Sequence, residues 1–147
     1  MLKITKKIKA QRIKKPEDDL VLVKPIEPRP DVLNGATYVI QTPTCTHPIH
    51  LTINNIEYTV NGQVKLKPYE ILVSTSNIDQ YMLLNSVAIL TSALYKNCNG
   101  DISWIAEDLK NIFDPKGGYF KKGKGYINSI ISELGFVLED HIKSLNR

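Results

Sequence analysis

The distribution of apolar and polar positions divides the chain near Asn77. Between residues 37 and 75 the pattern has the two-residue period of strands, rich in β-branched and aromatic side chains. It predicts strands over residues 37–42, 50–53, 56–60, 63–66 and 70–75. Asn61-Gly62 supplies the turn residues of a tight hairpin between the third and fourth. Beyond Asn77 the period becomes helical. Leu83, Leu84, Val87, Ala88, Leu90, Leu94 and Tyr95 mark a first helix, apolar on most faces and expected to lie buried against the sheet, ending at Asn97, Asn99 and Gly100. A second helix, capped by Asp101 or Ser103, carries the stripe Ile102, Ile105, Leu109 and Ile112 and stops at Asp114-Pro115. The third is marked by Ile127, Ile130, Ile131, Leu134, Val137, Leu138, His141 and Ile142, with Asp and Glu on the opposite face. Gly135 inside it costs about 1 kcal/mol against alanine, which points to close approach by a neighbouring element. Strands first and helices afterward give an α+β domain, an antiparallel meander of four or five strands followed by three helices packed on one face.

At 147 residues, 42% hydrophobic and 23% charged, the chain suffices for one core and is too short for two full domains. No run approaches the roughly 18 apolar residues of a membrane span, and the Met-Leu-Lys-Ile start lacks the apolar stretch of a secretory signal, so a cytoplasmic protein is expected. Cys45 and Cys98 then read as free thiols. The net charge of +4 is unevenly placed. Lys3, Lys6, Lys7, Lys9, Arg12, Lys14 and Lys15 form a basic leader over residues 1–15, leaving 12 basic against 15 acidic groups in the remainder. The leader reads either as an arm for an anionic partner or as a solubilising strand. Residues 16–36, with Pro16, Pro25, Pro28 and Pro30 around Leu20-Val21-Leu22-Val23, read as an extended arm with one short strand, and residues 37–147 as the single domain.

The most unusual stretch runs from Pro115 to Tyr126. Lys116, Lys121, Lys122 and Lys124 alternate with Gly117, Gly118, Gly123 and Gly125 and with Tyr119, Phe120 and Tyr126, without an acidic residue. Two readings stand. Glycine amides and lysines would hold a phosphate while an aromatic ring stacks on a base, or the segment is a tight turn whose aromatics plug the core. It is neither a Walker loop nor a dinucleotide fingerprint. Cys45, His47 and His50 resemble metal ligands but lack a fourth, so no metal and no cofactor are assigned. The pairs Glu107-Asp108 and Glu139-Asp140 diverge on a helix and form no dyad. His141 reads as a core histidine, and Trp104 as a core plug or an interface anchor. No catalytic residue is assigned.

Arg29-Pro30-Asp31-Val32-Leu33-Asn34-Gly35-Ala36-Thr37-Tyr38-Val39-Ile40-Gln41-Thr42-Pro43, continuing through Leu51-Thr52-Ile53-Asn54, resembles the start of the C-terminal region of cobalamin-dependent ribonucleotide reductases. The stretch Phe113 to Gly123, continuing through Tyr126, Ser129 and Glu133-Leu134-Gly135 to His141, is similar to small free-standing proteins carrying the same TSCPD domain, many of them carried by phages or prophages. The chain lacks that family's terminal cysteine cluster and the reductase barrel, and its Asn61-Gly62 hairpin looks inserted. The resemblance implies a non-catalytic accessory protein that contacts a protein partner or nucleic acid, including a role in host takeover or counter-defence. The alternative it implies is a small subunit supporting ribonucleotide reduction, with a nucleotide phosphate on the Lys/Gly loop. No membrane partner is expected, and self-association stays open.

Overall fold

The computed structural model describes residues 28–98 and 101–146. The basic leader and the apolar stretch Leu20 to Val23 lie outside the described residues. The α+β class holds, with the strands divided between two sheets. β1 (Asn34–Ile40), β2 (Ile49–Val60) and β3 (Gln63–Thr75) form an antiparallel sheet in that order. β1 starts three residues inside the segment expected to be an arm. The helices are α1 (Ile78–Asn97), α2 (Ser103–Lys110) and α3 (Ile130–Leu145), and a two-stranded hairpin, β4 (Tyr119–Lys121) and β5 (Gly125–Ile127), separates the last two.

β2 and β3 each join two of the expected strands into one. Asn61 and Gly62 both have positive φ, 52° and 78°, as the tight hairpin turn demands. The gaps left between the expected strands fall on a bulge: Asn54 pairs with Glu70 but Asn55 with Pro68, leaving Tyr69 as the extra residue. A proline is tolerated there because the ladder is already interrupted.

Ile49, Leu51 and Ile53 on β2 and Ile71 on β3 turn one face of the sheet into the core, where they meet Leu84, Ala88 and Tyr95 of α1, Ile105 and Ala106 of α2, and Ile131, Leu134 and Leu138 of α3. α1 lies along the free edge of β3. The Ile71 amide donates to Ser92 Oγ (2.8 Å), which itself donates to the Ala88 carbonyl (2.6 Å). A helix side chain thus satisfies an edge-strand amide that would otherwise be open to pairing. The small buried residues Ala88, Thr91 and Ser92 allow that approach. The expected burial of α1 therefore applies to one face only, and its opposite face is open.

α2 and α3 pack through their backbones. A Cβ on Gly135 would stand 2.8 Å from the Ala106 carbonyl oxygen and 2.7 Å from the Lys110 amide, which is the close approach its position in the sequence implied. Ser129 caps α3, its Oγ accepting from the Ser132 amide (3.0 Å) while donating to the Ile112 carbonyl (2.6 Å). Ser132 Oγ donates to the Lys110 carbonyl (2.8 Å), so the start of α3 also closes the end of α2. Asp101, one residue before the cap position of α2, accepts from both the amide and the hydroxyl of Ser103.

On the other face of the sheet, Gly35, Asn54 and Glu70 form one cross-strand row. Asn54 donates to Glu70 Oε1 (2.9 Å), and Arg29 grips both carboxylate oxygens through Nε and Nη2. The Arg29 and then the Asn54 hydrogen bonds hold the buried Glu70 carboxyl below its ordinary pKa against the effect of burial.

His141 ties α3 to the sheet. Its Nε2 contacts Asn55 Oδ1 and its Nδ1 contacts Tyr38 Oη, both at 2.8 Å. An amide oxygen accepts only, so Nε2 carries the proton and Nδ1 accepts from the phenol, which fixes the neutral ring. Burial pushes the imidazole pKa below its usual value. The folded chain therefore binds this proton less readily than the unfolded chain, and stability complete above the ordinary range is lost as pH falls through about 6.5 toward the folded pKa. In urea denaturation the midpoint should drop between about pH 7.5 and 5.5, and His141→Gln should flatten the drop. A wild-type midpoint constant across that interval would contradict this assignment.

Candidate functional site

The loop from Pro115 to Tyr126, which the sequence left as a turn or a phosphate site, folds as the β4–β5 hairpin. Tyr119 pairs with Ile127, Phe120 with Tyr126 and Lys121 with Gly125. Gly123 and Gly125 take positive φ at the turn, which tightens with Lys124 N–H donating to the Lys121 carbonyl (3.1 Å). Alternation along these short strands then sorts the side chains into two faces.

The inner face meets α3. Glu133 is 1% exposed, a carboxylate within the helix face expected to be apolar rather than on its polar side. It accepts from Tyr119 Oη (2.5 Å) and forms an ion pair with Lys121 Nζ. Burial pushes the Tyr119 phenol up to about 12, so it stays protonated and donates. Burial, then the nearby Lys124, draws the Lys121 ammonium down; the contact with Glu133 opposes both. Lys124 lies 2.9 Å from Asp140 Oδ2 and stands over the Phe136 ring. Two of the four loop lysines thus neutralise carboxylates of α3.

The outer face carries Phe120 and Tyr126, 79% and 51% exposed, with ring centroids 5.3 Å apart and an interplanar angle of 68°. Tyr126 is held by its own hydroxyl, which accepts from the Gly118 amide (2.8 Å). Gly118 lies so close to the Ile127 carbonyl oxygen that a Cβ would sit 1.9 Å from it. Lys116 and Lys122 are exposed and have no ion-pair partner among the described residues.

The successive loop amides are engaged internally. Lys116 N–H donates to Asp114 Oδ1 (2.8 Å), Gly117 N–H to the Asp114 carbonyl (2.9 Å) and Gly118 N–H to Tyr126. The sequence reading treated Tyr119 and Tyr126 alike as candidate stacking rings; the hairpin turns Tyr119 inward and Phe120 and Tyr126 outward. It also missed Glu133 as the anchor.

The other candidates are dispersed. Cys45 is buried, its thiol donating to the His47 carbonyl (3.1 Å) and accepting from Asn77 Nδ2 (2.9 Å), whereas His47 and His50 are exposed. Cys98 and Cys45 are free thiols. No group of three His, Cys, Asp or Glu residues suited to a metal gathers among the described residues. Trp104 is half-exposed beside Glu107, Glu139 and Ile142 in a shallow groove between α2 and α3. No helix among the described residues is long and apolar enough to cross a membrane. No family model, curated protein or solved structure matches this chain.

The buried triad makes a stability prediction. Lys121→Met leaves the Glu133 charge buried with Tyr119 alone and should cost about 3 kcal/mol, the low end for breaking a buried pair because the Lys121 side chain is 32% exposed. Lys121→Met/Glu133→Gln removes the orphaned charge and should cost less than Lys121→Met alone in urea denaturation. A double variant no more stable than the single one would refute the charge assignment.

Proposed function

We propose that this protein is a non-catalytic binding protein that holds single-stranded nucleic acid on the outer face of the β4–β5 hairpin. The observation that carries the proposal is the exposed Phe120–Tyr126 pair, in a loop that also exposes Lys116 and Lys122. The two rings leave an aromatic surface open to solvent, and a base has the π-face to cover it. The two lysines act on phosphates as point charges without reading sequence. The hydrogen bond from the Gly118 amide to the Tyr126 hydroxyl orients that ring in advance, which lowers the ordering cost of binding.

The second reading, a nucleotide phosphate cradled by the Lys/Gly loop in support of ribonucleotide reduction, uses the same segment. The internal engagement of the amides of Lys116, Gly117 and Gly118 weighs against a backbone cradle, and favours contact through rings and lysines. The resemblance to TSCPD domains agrees with an accessory role in nucleic-acid metabolism, and the proposal does not depend on it.

Fluorescence anisotropy with a labelled oligothymidylate tests the reading. Phe120→Ala should weaken binding roughly five-fold to a hundred-fold, the loss expected for one stacked base. Lys116→Ala and Lys122→Ala should each lower the salt dependence of log affinity by about 0.7, one phosphate contact on a single strand. Absence of binding at about 50 mM salt, or affinity unchanged by Phe120→Ala, would overturn it. Saturable binding of a mononucleotide but not of the oligonucleotide would favour the second reading.

A further inference from the structure

Among the described residues, nothing packs against the outward face of α1. Ile78, Met82, Leu83, Ile89, Leu90 and Leu94 are all exposed large apolar residues, Met82 at 77% and Leu90 at 66%. At helical spacing Met82, Leu83, Ser86, Leu90, Ala93 and Leu94 fall on the side opposite the buried positions Leu84, Ala88, Thr91 and Tyr95. A 20-residue helix runs about 30 Å. The strip exposes roughly 600 Å2 of mostly apolar surface, at the upper end of what a monomer leaves open.

We infer that a second copy of this chain covers that face, through antiparallel pairing of α1 with α1 about a two-fold axis near Ala88. A two-fold interface must complement itself, and this face does so when reversed. The reversed register sets Leu83 against Ala93 and Leu90 against Ser86, a large side chain against a small one in each case, and sets Met82 against Leu94. At the ends it sets Asp79 against Asn97. Asp79 and Lys96 are the only charged residues on the helix, and Lys96 is held 4.9 Å over the Tyr69 ring on the sheet side, so the strip itself carries no cation.

Two polar side chains on the strip are engaged within the helix. Ser86 Oγ donates to the Met82 carbonyl (2.7 Å) and Asn97 Nδ2 to the Ala93 carbonyl (2.8 Å). Covering the face therefore leaves the Ser86 hydroxyl paired. The pair would bury about 1,200 Å2 in total, the lower bound for a specific interface. A single cation on the helix makes the strip a poor match for an anionic membrane surface or for nucleic acid.

Sedimentation equilibrium of the nucleic-acid-free full chain, over about 1 to 100 µM, is the test. The expected mass rises from 16.6 kDa toward twice that value. Leu90→Glu and, separately, Met82→Lys should hold the mass at 16.6 kDa across the range while far-ultraviolet circular dichroism stays unchanged. A wild-type chain that remains at 16.6 kDa throughout overturns the inference without reference to any variant. So does a dimer that survives both substitutions.

Discussion

A buried carboxylate on α3 organises the most distinctive part of this molecule. Ionised Glu133 would be several kcal/mol too costly inside the core without partners. The β4–β5 hairpin brings two, Tyr119 and Lys121, from alternate positions of one short strand. Three-residue strands have no independent stability, so the hairpin depends on this anchor, and the anchor depends on the hairpin. Because alternation is strict, satisfying Glu133 with residues 119 and 121 forces Phe120 to point outward. The exposed aromatic pair is thus a geometric consequence of a buried charge.

The same logic of one side chain meeting a backbone or charge requirement recurs at the sheet. The Ile71 amide on the edge strand is satisfied by Ser92, and Glu70 on the opposite face by Arg29 and Asn54. Both use residues that a hydropathy profile scores as neutral or polar. The consequence for α1 is that Ala88, Thr91 and Ser92 approach the sheet between Leu84 and Tyr95, while Met82, Leu83, Leu90 and Leu94 face outward. The helix is therefore apolar all round without being buried all round.

Elements with a strong local signature were legible in the sequence. Asn61-Gly62 demands positive φ at two consecutive positions, and the stripe from Ile130 to Ile142 has no reading except a core-facing helix. Gly135 was legible as a contact because glycine inside a helix needs a reason, and α2 provides it. The β4–β5 hairpin was not legible because its strands are too short for period-two counting to stand out against four glycines. Glu133 was misplaced on the polar side because acidity is ordinarily a sign of exposure, and its partners lie 12 and 14 residues away. The open face of α1 was hidden for the opposite reason, since hydropathy records how apolar a helix is but not which apolar residues a strand edge leaves room for.

In the proposed function the two faces of one hairpin have separate duties, inward for anchoring and outward for contact. Aromatic carbon–proton correlation spectra recorded during titration with an oligothymidylate would separate them. The account predicts shifts concentrated on the rings of Phe120 and Tyr126, with the ring of Tyr119 left in place. Shifts centred on Tyr119, or on aromatic residues remote from the hairpin such as Tyr58 or Trp104, would contradict it.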